Sequence, residues 1–310
     1  MILTPVIILV AVELGLSPVP FIISSAVASN IGGAATLIGD PPNIMIGSAA
    51  GLGFMDFIVN MGPLAVVNFI ILCLFVTLFF RKNLKVSIER RARIMEFDER
   101  LSITDKRLLV KSLIVLALVI AGFIIHDKIG LKPATIALFG ASLLMLLAGG
   151  DEVDKFFHEV EWGTIFFFIG LFIMVGGLVE LGIIKMVSKK IIAMTAGNIV
   201  LSTQLIIWFS GIMSSIVDNI PYVATMIPIV ENMGETMGSA ALEPIWWSLA
   251  IGSCFGGNGT LIGASANVVS AGIAGKNGYR ISFLDFTKYS AVITLLTLIA
   301  SSIYVFLFLL

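Results

Sequence analysis

The 310-residue sequence predicts an all-α polytopic membrane protein with two broken transmembrane helices and a re-entrant hairpin. Three observations predict it. The chain is 58% hydrophobic and 13% charged, about half the charge of an ordinary soluble domain. Its apolar runs reach the roughly 20 residues that span about 30 Å of hydrocarbon. Two of these runs are interrupted by matching stretches, GGAATLIGDPPN (32–43) and GGNGTLIGASAN (256–267). A net charge of -1 leaves no basic field for nucleic acid. Cys73 and Cys254 each sit in an apolar run and read as small core residues. No His/Cys cluster suggests a resident metal, and no cofactor is expected. The N-terminus has neither a basic n-region nor a small-residue cleavage site, so no signal peptide is expected.

In chain order, residues 1–80 hold a short hairpin arm (1–14), a broken helix (18–46) and a span (57–80). Residues 81–107 carry nine Lys and Arg against five acids, a basic linker that the positive-inside rule puts in the cytoplasm. Residues 108–310 hold spans 108–125, 133–149 and 162–182, a hairpin at 199–236, a broken helix at 244–272 and a last span at 285–309. Asp218-Asn219 separates the hairpin arms. Loops 150–161 and 273–284 then fall inside, and 126–132, 183–198 and 237–243 outside. His126 and His158 lie at loop edges. Inside-facing ends collect 14 of the 19 basic residues, with Lys185, Lys189 and Lys190 on the outer side against the trend. The localisation expected is the inner or plasma membrane.

The two interruptions align at an offset of 224. Gly32, Gly33, Thr36, Leu37, Ile38, Gly39 and Asn43 match Gly256, Gly257, Thr260, Leu261, Ile262, Gly263 and Asn267. Pro20 matches Pro244, Pro5 matches Pro228 after one residue of slippage, and Asp56 matches Asp285 after a short insertion. The second unit, 108–310, makes five crossings. An odd number gives successive units opposite orientation, the inverted-repeat architecture of secondary transporters. The first unit lacks counterparts of three spans, one hairpin arm and the hairpin tip. The sequence therefore reads as N-terminally truncated, and coding DNA for those parts is expected before Met1.

A broken helix in lipid must put its freed amides and carbonyls to use, because an unpaired one costs several kcal/mol. Pro41 and Pro42 end the first half-helix and donate no amide hydrogen. Thr36, Asn43, Asn258, Thr260 and Asn267 supply uncharged ligands. Asp40 and Asp218 are intramembrane carboxylates, each costing about 2.5–3.5 kcal/mol at a helix centre and so marking a functional site. Two structural readings stand beside this. Asp218 is also a favoured helix N-cap, and Asp40 also suits a turn before Pro-Pro. Glu13 and Glu180 lie near span ends and are expected to reach the interface.

The stretch ASNIGGAATLIGDPPNIMIGS (28–48) closely resembles the signature of the arsenite-permease and pink-eyed-dilution (P protein) branch of the ion transporter superfamily, with its citrate-transporter-like domain. Residues 159–183, SSIVDNIPYVATMIPIV (214–230) and GGNGTLIGASANVVSAGIA (256–274) resemble further stretches of that branch. The resemblance implies a secondary-active ion transporter in which hairpin tips face broken helices near the midplane. It implies an elevator motion and a homodimer. By position it implies a substrate and ion site at Gly33, Thr36, Gly39, Asp40 and Asn43, at Ser215, Asp218 and Asn219, and at Gly257, Asn258, Thr260, Gly263 and Asn267. A transported Na+ would sit at Asp218, Asn219, Asn258 and Thr260. In the expected arrangement, Asp218, Asn219 and the second break form one half-site, with Asp40 in the opposing one. Expected partners are a small inorganic or organic anion or arsenite, together with the lipid bilayer.

The function expected is efflux of arsenite, antimonite or a related anion, coupled to H+ or Na+. Neutral arsenite hydroxide suits a site of hydroxyls and amides, and the absence of cysteines from the motifs argues against thiol capture. The alternatives are a sodium/proton antiporter, a citrate or dicarboxylate carrier, a channel, and an inactive fragment or half of a split transporter. An intramembrane aspartyl protease would need a GxGD motif; Leu37 stands where its first glycine would be. No enzyme activity is expected.

Overall fold

The computed structural model describes residues 3–80, 86–87, 90, 105–148, 153–158, 160, 162–238 and 242–310. The described residues form helices joined by short turns. The first part contains α1 (Leu3–Glu13), α2 (Val19–Ala34), α3 (Pro41–Ala50) and α4 (Phe54–Phe80). Next come α5 (Lys106–Ile129), α6 (Pro133–Ala148), α7 (Val153–His158), α8 (Trp162–Glu180) and α9 (Ile183–Thr195). The chain closes with α10 (Ile199–Ile216), α11 (Asn219–Met237), α12 (Leu242–Gly256), α13 (Ser265–Lys276) and α14 (Phe283–Phe308). The basic linker 81–107 lies largely outside the described residues.

Local chemistry sets these boundaries. Asp105 caps α5 by accepting from the Arg107 and Leu108 amides, Asn198 caps α10 through Leu201, and Ser282 caps α14 through Asp285. Gly130 ends α5 in the left-handed region at φ 67°. By length and composition α4, α10, α14 and residues 106–126 of α5 are each sufficient to cross a membrane. The chain is thus an all-helical polytopic membrane protein. Because α10 has the length of a full span, length alone does not make the hairpin re-entrant.

Two expectations need correction. Residues 183–198 are not a loop. The chain turns 70° after Glu180 and runs on as α9, with Gly182 at φ 72° making the corner. Lys185, Lys189 and Lys190 point outward from α9 while Ile184, Ser188 and Thr195 are buried. Segment 183–198 thus holds an amphipathic helix with its three lysines on the exposed side. His126, expected at a loop edge, lies inside α5. It is buried and its Nε2 accepts from the Phe54 amide at 3.2 Å.

The centre of the molecule is α12, buried from Ile245 through Gly256. It packs on α10, α11, α2, α3 and α14. Its glycines bring α10 into backbone contact. A Cβ on Gly252 would stand 2.7 Å from the Ile207 carbonyl, and one on Gly256 would stand 2.5 Å from that of Gly211. This small-xxx-small spacing is how apolar helices approach closely in lipid.

Candidate functional site

The two breaks are built alike, with the bond to Thr36 matching that to Thr260 and the other stapling bond shifted by one residue. In the first, Asn43 Nδ2 donates to the carbonyls of Ala34 at 3.2 Å and Thr36 at 3.0 Å. In the second, Asn267 Nδ2 donates to those of Gly257 and Thr260, both at 3.0 Å. Gly33 and Gly39 pass so closely that a Cβ on Gly33 would stand 2.6 Å from the Gly39 carbonyl; for Gly257 and Gly263 the figure is 2.8 Å. Asp40 and Ala264, at matched positions, are both extended at the start of the second half-helix, with φ of -142° and -151°. Even the entry turns agree. Ser24 Oγ donates to the Pro20 carbonyl at 2.8 Å and Ser248 Oγ to that of Pro244 at 2.7 Å.

The hairpin tip, Val217 and Asp218 followed by Asn219 at the head of α11, sits on the second break. The Asn219 amide donates to the Gly263 carbonyl at 3.2 Å. Ser215 Oγ donates to the carbonyls of Gly211 (2.7 Å) and Gly256 (2.8 Å), while Thr260 Oγ1 donates to that of Ser215 at 2.6 Å. Ser214 Oγ, absent from the sequence-derived set, reaches the Ser253 carbonyl at 2.7 Å. Asp218 acts as an N-cap: its Oδ1 accepts from the Ile220 amide at 3.0 Å, while Oδ2 faces Ser265 Oγ at 3.3 Å.

Asp40 behaves differently. Its side chain makes no capping bond to its own helix: Pro42 offers no amide hydrogen, and the Asn43 amide donates to the Asp40 backbone carbonyl at 3.0 Å instead. Its carboxylate, 8% exposed, accepts from Asn219 Nδ2 at 3.4 Å on both oxygens. Asp40 does make the turn before Pro-Pro, but that role does not account for the carboxylate's contact with Asn219. Asp40 therefore touches the hairpin tip directly, and the two half-sites expected to oppose each other are in contact. Neither Asp40 nor Asp218 has a Lys, Arg or His partner among the described residues.

Two residues outside the motifs complete the cluster. Asn30 Nδ2 donates to Asn258 Oδ1 at 2.8 Å and to Asn267 Oδ1 at 3.0 Å. Asn258 is fully buried, and its Nδ2 has no partner among the described residues. Cys254 is buried beside Asp40, and its Sγ donates to Asn43 Oδ1 at 3.3 Å. Cys254 is thus the buried core residue its apolar run implied and also places one thiol beside the cluster, whereas Cys73 is exposed and not in the core. A single thiol still falls short of a thiol cluster, and no group of three His, Cys, Asp or Glu residues occurs among the described residues. Sequence reasoning missed both side chains because their partners lie more than 200 residues away. The one available signal was that the offset of 224 also pairs Asn30 with Cys254.

A cavity of about 520 Å³ opens beside this cluster, lined in part by Thr4, Ser25, Ser29, Ala266 and Ser270. Leu3, Ala26 and Ala28 complete its lining, which is more apolar than polar and includes none of the candidate site side chains.

A citrate transporter family model matches residues 1–252. An uncharacterized transporter of Mycobacterium tuberculosis is 42% identical over 308 residues, covering 99% of this chain and 72% of the relative. One from Synechocystis is 29% identical over 98% of this chain and 72% of its own length. The mouse P protein is 32% identical over 95% of this chain and 44% of its own length.

Proposed function

The chain belongs to the citrate transporter family and is a membrane transporter, and from that premise we propose that it is a secondary-active carrier coupling a small solute to an H+ or Na+ gradient. The observation that carries this reading is the pair of facing breaks, with two carboxylates at their junction and no basic side chain among the described residues paired with either. A buried carboxylate without a countercharge is costly in a low-dielectric site. A coupling cation supplies the missing charge, and its arrival and departure then alter the site between solute-bound and empty states. In this reading Asp40 and Asp218 meet the cation. Gly33, Thr36, Gly39, Asn43, Ser215, Asn219, Gly257, Asn258, Thr260, Gly263 and Asn267 shape the solute and ion site, and Asn30 and Cys254 join them.

The solute proposed is arsenite or antimonite, exported. Amide and hydroxyl groups with no basic side chain suit a neutral hydroxide better than a multiply charged anion. The family description favours a second reading, carriage of an organic carboxylate such as citrate with its charge offset by co-bound cations. We further propose that 1–80 and 108–310 are parts of two inverted repeats joined by a cytoplasmic basic linker at 81–107. A second hairpin, from polypeptide outside these 310 residues, would cover the first break as α10 and α11 cover the second. Elevator motion in a homodimer in the plasma membrane belongs to the same proposal.

Flux in everted vesicles of the full-length native protein tests it. Arsenite accumulation driven by an imposed H+ or Na+ gradient, abolished by Asp218→Asn with expression intact, is the expected result. Citrate accumulation with no arsenite flux would favour the second reading. Downhill flux of either solute that no ion gradient can drive uphill would mean a channel.

A further inference from the structure

The offset that relates the breaks also relates two cross-links between them. Asn43 and Asn267 each close their own break through Nδ2, leaving Oδ1 as an acceptor. Each Oδ1 accepts from the first half of the opposite broken helix. Cys254, on α12, donates to Asn43 at 3.3 Å, and Asn30, on α2, donates to Asn267 at 3.0 Å. Asn30 and Cys254 are themselves 224 apart, so the arrangement is reciprocal. Cys254, Asn43 and Asn267 are fully buried and Asn30 is 8% exposed, so water does not substitute for these bonds.

The two links differ in strength. Asn30 offers two amide hydrogens and uses them on Asn267 and on Asn258, the latter at 2.8 Å. Cys254 offers one thiol hydrogen, a weak donor, and has both Asn43 and the Asp40 carboxylate beside it. Ala34, the counterpart of Asn258, supplies no side-chain acceptor to strengthen the second link.

We propose that Asn30 and Cys254 are paired positioning residues that lock the two breaks into one unit, with the thiol-held link beside Asp40 the one that opens first. The bond network stands on geometry. The functional meaning, opening at Asp40 as the step that admits or releases the coupling cation, rests on the carrier reading above. Neither residue need touch the solute. Each holds the asparagine that holds a break.

The test needs no transported solute. In full-length protein carrying Cys73→Ser, the rate at which N-ethylmaleimide alkylates the Cys254 peptide is followed by mass spectrometry. Cys254 is fully buried, so alkylation reports local opening. If the links are coupled, Asn30→Ala raises the rate about tenfold, the size of a shared local-opening free energy. Asn30→Ser keeps one donor and gives a rise of about threefold, which also serves if Asn30→Ala fails to fold. Asn68→Ala removes a buried amide bonded to Ser301 away from the breaks and leaves the rate within about twofold. Unchanged alkylation in both Asn30 variants would overturn the lock while leaving the carrier untouched. So would a rise in Asn68→Ala equal to that in Asn30→Ala. Absence of any gradient-driven flux in the parent full-length protein, with the alkylation pattern as expected, would overturn the carrier and leave the lock.

Discussion

The first and second breaks share a backbone but not an environment. Gly256 is buried against α10, whereas its counterpart Gly32 is exposed and a Cβ there would meet nothing within 4 Å. Thr260 donates to the Ser215 carbonyl, whereas the hydroxyl of the half-buried Thr36 makes no bond among the described residues. Gly263 is buried and Gly39 exposed. The hairpin accounts for the difference: Gly211 and Ser214 of α10 stand against Gly256 and Gly263, whereas no described residue stands within 4 Å of a Cβ on Gly32 and the tip reaches the first break only at Asp40. The conformation of a break is therefore intrinsic to its glycines and its stapling asparagine, while its burial is conferred from outside.

Substitutions at matched positions in the 310-residue chain, without the proposed second hairpin, can break or sharpen this contrast. The largest difference is expected at the glycines. Gly256→Ala forces α10 off α12 and should cost about 2–3 kcal/mol, as overpacking does. Gly32→Ala should fall within about 0.5 kcal/mol of the parent. Thermal unfolding in detergent, compared at equal protein concentration, measures both. Equal losses would mean that the first break is covered in solution.

Next are the asparagines. Asn267→Ala removes two donated bonds and leaves one Asn30 amide hydrogen unpaired, for an expected loss of about 2–3 kcal/mol. Asn43→Ala strands only a thiol and should cost roughly 1 kcal/mol less than Asn267→Ala. Urea or heat unfolding of the pair ranks them, and the reverse order would refute the proposed inequality of the two links.

The smallest difference is expected at the threonines. Thr260→Val should cost about 1 kcal/mol through its lost bond to Ser215, and Thr36→Val close to nothing. The same unfolding assay reads this pair. A loss at Thr36 matching that at Thr260 would show that its hydroxyl has a partner.

Much of this was legible in the sequence. Glycines, Pro41-Pro42 and the matched asparagines announced both breaks, because few residue types allow a helix to stop and restart in lipid. Asp218-Asn219 marked the hairpin tip, since a carboxylate and an amide in an apolar run demand a reason. Two things were not legible. The bend at Gly182 was hidden by Lys185, Lys189 and Lys190, whose charge suggested a loop, although Ile184 and Ser188 keep helical spacing with Thr195. The contacts of Asn30 with Asn258 and of Cys254 with Asn43 are long-range, and no local pattern encodes which distant backbone a buried side chain will face.

The proline pair has a consequence for heredity. A carboxylate, an amide or a thiol can be added or removed within one codon, and Asp40/Ala264, Ala34/Asn258 and Asn30/Cys254 are three such differences between the matched stretches. Pro41-Pro42, opposite Ser265-Ala266, is of another kind. Reversing it requires changing two adjacent codons, and either change alone would leave one proline still fixing the start of α3. The side-chain asymmetries are therefore open to drift and to suppression by second-site changes across the pseudo-symmetric pair, whereas the backbone asymmetry works as a ratchet. Suppressors of an Asn30 defect should be sought at Cys254 and its neighbours before anywhere else.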